Sequence, residues 1–146
     1  MDSFERRRVP IRVALAYLAL SGAYVALWIL LAPKGFYDSF PTGPAEWVSA
    51  LPPFNEHLAR DFGAAGLGLA VLAALAAVWM DRRVVQAAAA AHLAAALPHL
   101  AYHLTTTERY STSDNVQSLI GLGLPVLVAL ALLVATRRPD MVAREA

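Results

Sequence analysis

Four long apolar stretches, separated by short polar ones, set the pattern of this chain. Residues 13–32, 62–80, 84–104 and 116–136 carry no Asp, Glu, Lys or Arg. Each is close to the ~20 residues that an α-helix needs to cross a ~30 Å hydrocarbon core. Lipid offers the backbone no hydrogen-bond partners, so each run is expected to be helical. Asn55, following Pro52 and Pro53, reads as an N-cap and moves the start of the second span to about residue 57. The pattern predicts an all-α integral-membrane four-helix bundle, a single domain over residues 1–146, with spans at about 13–32, 57–80, 84–104 and 116–136. A structured outer loop is expected between spans one and two.

The first run follows Arg6, Arg7 and Arg8, as the apolar part of a signal peptide would. It is longer than such a region usually is, and its small-residue exit at Ala32 meets Pro33 at once, so it is expected to be retained. Of the twelve basic residues, nine fall on one side of the spans: Arg6, Arg7, Arg8, Arg12, Arg82, Arg83, Arg137, Arg138 and Arg144. Only Lys34, Arg60 and Arg109 fall on the other. The positive-inside rule then predicts a cytoplasmic-membrane protein with both termini inside and the loops 33–55 and 105–115 outside. A net charge of +1 gives no reason to expect nucleic acid. The absence of cysteine excludes disulfides, thiol redox chemistry and Cys-ligated metals.

The first outer loop is rich in Pro and Gly, so it is not one long helix. It carries Phe36, Tyr37, Phe40, Trp47 and Phe54, residue types that favour the membrane–water interface. Pro44 can open a short helix reaching Ala50, and the loop is expected to lie as a lid over the bundle; plain interfacial anchoring is the alternative. Asp114 followed by Gln117 resembles a capping box for span four. Pro98 and Pro125 each remove a helical hydrogen bond and are candidate kinks.

Histidine is where chemistry enters. At 100° per residue, about the ideal turn, His92, His99 and His103 share one face of span three with Ala88 and Ala96. His57, Asp61, Ala64 and Gly68 form a similar stripe on span two. Small residues let membrane helices approach closely, so both stripes are expected to face the bundle interior. Tyr17, Ser21, Tyr24 and Trp28 make a matching row on span one, and Gln117 and Gly121 lie at the outer end of span four. His92 is expected near mid-membrane, ~12 Å from the inner boundary, with His99 and His103 at ~22 and ~28 Å. His57, Asp61, His99 and His103 would then converge beneath the first outer loop. Glu56, His92, Tyr24 and Gln117 are supporting candidates.

Ionisable groups inside a bilayer are costly and usually mark a site. Four readings remain open. Neutral imidazole and carboxylate suit a metal ion such as copper, zinc or iron. Two histidines could ligate haem, or a His–Asp pair could hydrogen-bond a quinone carbonyl. His92 could act as a relay in a small proton-coupled transporter. The histidines could also be interhelical glue, worth ~1 kcal/mol or less each, in an assembly subunit that packs against other membrane subunits or its own copies. Enzymatic function is not favoured: there is no Cys, no G-x-S-x-G context and no phosphate loop, since Gly63, Gly66 and Gly68 lie inside a span.

The stretch GFYDSFP…W…PPFNEHLARDFGAAGLGLAV, followed by PHLAYH in span three, resembles uncharacterised small four-span membrane proteins of high-GC bacteria. In span number and layout the chain is similar to the DoxX-like group of four-helix membrane proteins. The resemblance implies a fold and transfers no residue role.

Overall fold

The computed structural model describes residues 3–42, 45–51 and 53–137. They form α1 (Ser3–Arg6), α2 (Arg8–Leu31), α3 (Pro33–Ser39), α4 (Glu56–Trp79), α5 (Arg82–Thr105), a 3-10 turn (Thr107–Arg109) and α6 (Thr112–Ala135). No strand occurs among the described residues. The four long helices have 24 residues each and are apolar enough to cross a membrane. At ~1.5 Å per residue each is ~36 Å long, more than the hydrocarbon core requires. The protein is an all-α four-helix membrane bundle.

The helices start earlier in the chain than the apolar runs. α2 starts at Arg8 rather than near residue 13, and α6 at Thr112 rather than 116. An apolar run stops at the first charge, whereas a helix continues into the headgroup layer, where charge is cheap. Local chemistry sets these starts. Asn55 caps α4 as expected, its Oδ1 accepting from the Leu58 N–H at 3.0 Å. Asp81 caps α5 by accepting from the N–H groups of Arg83 and Val84. The α6 cap is Ser111, not Asp114. Its hydroxyl accepts from the Asp114 N–H at 3.0 Å and donates to the Asp114 carboxylate at 2.7 Å. Gln117 instead donates to Ser113 Oγ at 2.8 Å. Each such cap contributes ~1 kcal/mol. Pro98 and Pro125 lie inside helices that run through them without a break.

The helices form a ring in the order α2, α4, α5, α6. α2 packs most extensively on α4, and α5 on α6. The α2–α4 seam is lined by small residues. Built Cβ atoms at Gly22 and Gly66 would lie 3.5 and 3.6 Å from Ala70 and Ala26. At Gly63 the approach is tighter still: a Cβ there would lie 2.9 Å from Ile29 Cγ2 and 3.1 Å from Leu30 Cγ. The buried positions of α4 are Gly63, Ala70, Ala73 and Ala76. This overturns the expected inward stripe, because Ala64 and Gly68 are exposed together with His57 and Asp61. Gly63 lies two residues past Asp61, about 200° round the helix. α4 therefore holds two ribbons of small residues, and packing buries the one that leaves the carboxylate in contact with solvent.

The main core sits at the arginine-rich end. Ile11, Leu15 and Leu18 of α2 meet Ala73 and Ala76 of α4, Val85, Ala88 and Ala89 of α5, and Leu132 of α6. The helix ends there are tied by side chain-to-carbonyl bonds. Arg12 donates to the Ala77 carbonyl, and Arg82 and Gln86 donate to that of Thr136. The opposite end carries the two outer loops and five of the histidine and carboxylate candidates, Glu56, His57, Asp61, His99 and His103.

Candidate functional site

At the loop end the candidates form two pairs rather than one cluster. On α4, His57 Nε2 lies 3.3 Å from Asp61 Oδ2, one helical turn on, and these side chains are 88% and 62% exposed. Glu56 pairs with Arg60 at 2.8 Å, and Arg60 also donates to the Leu30 carbonyl at 2.7 Å, which ties α4 to α2. On α5, the His99 and His103 rings lie 5.0 Å apart. Phe62, the residue after Asp61, is the α4 side chain that meets His99, edge to face at 5.9 Å. Among the described residues no group of three or more His, Cys, Asp or Glu side chains is placed to hold a metal ion.

His92 has a local partner, since its Nδ1 lies 2.8 Å from the Ala88 carbonyl of its own helix. Tyr24 is exposed and meets Trp28 edge to face at 5.8 Å. Gln117 lines an open polar hollow of about 250 Å³ with Thr42, Ala45 and Asp114.

His103 is different. It is only 7% exposed, and its Nδ1 is buried without a hydrogen-bond partner. Its ring stacks on Tyr110, centroids 5.6 Å apart, and meets Tyr102 edge to face. The Tyr110 hydroxyl donates to the Trp47 carbonyl at 3.1 Å. That bond joins the second outer loop to the first. Trp47 in turn covers Gly121 of α6, where a built Cβ would lie 3.2 Å from the indole. A chain of ring contacts continues from Trp47 through Phe40 to Phe36 and Trp28. The first outer loop is thus a packed cap on the bundle. Its short helix is α3, opened by Pro33, the first residue of the loop, rather than a helix from Pro44 to Ala50. Pro44 lies outside the described residues, and Trp47–Ala50 form a turn.

The only buried side-chain nitrogens without a partner among the described residues are His103 Nδ1 and Trp47 Nε1. Both belong to residues that Tyr110 contacts. An unsatisfied buried polar group costs ~1–3 kcal/mol, so each of these two nitrogens is a local weak point of the fold. Sequence reasoning singled out His103 but not Tyr110, Phe62 or Tyr102. Their roles depend on contacts between distant segments. Gly121 was the one visible signal, a gap at the outer end of α6 that a bulky side chain fills.

Burial first, and then neighbouring Tyr102, pushes the Tyr110 phenol up to about 12 from its ordinary 10.0, against a smaller opposing effect of Arg109. The folded state holds this proton more tightly than the unfolded chain. Its stabilising effect is therefore complete below pH 10.0 and is lost as pH rises to about 12. An ultraviolet titration should show a tyrosine ionising near pH 12, and Tyr110→Phe should remove that step. The same substitution deletes the bond to Trp47 and should cost ~1 kcal/mol of stability.

Compared with known proteins, the chain matches no family model, no curated protein and no solved structure.

Proposed function

We propose that this multi-pass membrane protein binds a lipid-soluble ligand with an aromatic, carbonyl-bearing head group, of the quinone class, at His99 and His103. The observation that carries the reading is His103 Nδ1, buried and unpartnered among aromatic rings. A neutral imidazole N–H can donate to a carbonyl oxygen. Phe62, Tyr102 and Tyr110 offer flat apolar walls to a ring, which is the usual make-up of a small-molecule site: mostly apolar with a few placed polar groups. Phe62 and Tyr102 are exposed on the bundle surface, so approach is from the lipid. When bound, a quinone supplies reversible two-electron, two-proton chemistry. The chain's part is to hold the carbonyl at the imidazole and to keep water away beneath the Trp47 cap. His57 and Asp61, exposed at the same end, are placed to exchange protons with solvent.

The arrangement of positive charge supports placing the arginine-rich end in the cytoplasm and the histidine end outside, in a cytoplasmic membrane. Kinship with small four-span proteins of high-GC bacteria rests on the stretches quoted above.

Titrating the purified protein with a short-chain ubiquinone and with menadione should quench tryptophan fluorescence saturably. Loss of one hydrogen bond of ~1.4 kcal/mol should weaken binding about tenfold in His103→Phe. Linear, unsaturable quenching that is identical in the variant would overturn the reading. A stoichiometric metal ion or a Soret band in protein from supplemented cells would replace it with the metal or haem alternative.

A further inference from the structure

At the arginine-rich end, opposite His99 and His103, α2 and α6 leave a groove between them. Of the neighbouring helices in the ring, this pair packs least closely. Ile11 and Ala14 of α2 face Ala131, Leu132 and Ala135 of α6 across a hollow of about 160 Å³, with Arg7 at its rim. Its walls are aliphatic and its one charged lining group is a guanidinium. From Arg7 to Ala14 the groove descends ~10 Å along the helix. That is the distance over which a phospholipid passes from its phosphate through the glycerol to its first methylenes. Other arginines at this end are engaged: Arg8 with Glu5, and Arg82 over the Phe4 ring and on the Thr136 carbonyl. Arg7, Arg83 and Arg137 have no acidic partner among the described residues. Arg137 is exposed two residues beyond Ala135, so it adds positive charge near the mouth of the groove.

We infer that the α2–α6 groove binds an anionic phospholipid, with Arg7 on the phosphate and one acyl chain against Ala14 and Ala131. Charge complementarity decides between occupants: a zwitterionic lipid fills the same apolar walls but brings a cation to the arginines, and a partner helix would need a wider face than two turns. Basic pockets between membrane helices commonly hold anionic headgroups, each arginine contributing about fivefold in affinity.

The test is native mass spectrometry of the full chain in mild detergent, with dimyristoyl phosphatidylglycerol and dimyristoyl phosphatidylcholine, which share acyl chains. One bound phosphatidylglycerol should survive activation that strips phosphatidylcholine. Arg7→Ala should weaken it about fivefold, whereas Arg83→Ala, which does not line the groove, should not. Ala131→Phe should fill the groove and abolish retention of either lipid. Ala14→Leu gives the same readout should Ala131→Phe fail to fold. Equal retention of the two lipids, or equal losses in Arg7→Ala and Arg83→Ala, would overturn the assignment. So would displacement by inorganic phosphate at equal concentration, which would make the site one for free anions.

Discussion

Gly63→Leu should break the bundle open along its tightest seam. Even a single Cβ at this position would lie 2.9 Å from Ile29 Cγ2 and 3.2 Å from Ile29 Cβ. Ile29 is fully buried, so it has no free direction in which to yield. Overpacking a filled site by a methyl or two costs ~1–3 kcal/mol, and a leucine adds four carbons to a seam with no space for them. Gly63→Ala should therefore cost ~1–3 kcal/mol, and Gly63→Leu should separate α4 from α2 or prevent folding. Reversible unfolding in mixed micelles gives the comparison. Gly68→Ala is the control. A Cβ at Gly68 meets nothing within 4 Å, and glycine in a helix interior is disfavoured by ~1 kcal/mol relative to alanine, so this change should be neutral or stabilising. If Gly63→Ala and Gly68→Ala behaved alike, the α2–α4 packing described here would be wrong.

His103→Phe is the second decisive substitution, because its two effects point in opposite directions. Phenylalanine keeps a ring to stack on Tyr110 and removes a buried nitrogen that has no partner. The unpaired nitrogen costs ~1–3 kcal/mol, so the variant should be as stable as the wild type or more so. A residue kept only for packing would then show no other change. The proposed ligand site instead predicts that binding weakens about tenfold while stability is retained or raised. This combination separates function from damage. His92→Ala should show no such division: its Nδ1 contact is to its own helix, and removing it should leave binding unchanged. A destabilised His103→Phe protein would mean that the imidazole has a partner within the fold, and the case for an external ligand would fall.

The loop end shows where reading along the chain succeeds and where it stops. Asn55 was legible as a cap because a cap is a local event, one side chain and an N–H three residues on. The Ser111 cap was missed by three residues, since Asp114 could serve equally well by composition. The inward face of α5 was legible: Ala88 and His103 are buried, and His92 and His99 partly so. The inward face of α4 was not. Its sequence is so rich in glycine and alanine that two ribbons fit the small-residue rule, and periodicity does not choose between them. Asp61 decides, because the ribbon that carries it would have to desolvate a carboxylate.

Four uncharged runs, three arginine clusters and the spacing of the histidines determined by themselves that the chain carries four membrane-spanning helices and that His57, Asp61, His99 and His103 lie toward the end opposite the arginine clusters. A membrane imposes these features residue by residue, through the cost of charge and of unpaired backbone in lipid. Only the tertiary structure decided that His57 and Asp61 face outward, that Phe62 meets His99, and that Tyr110 bridges Trp47 to His103. Those contacts join segments up to 63 residues apart. They follow from how the rods and loops pack against one another, which the apolar pattern of each rod leaves open.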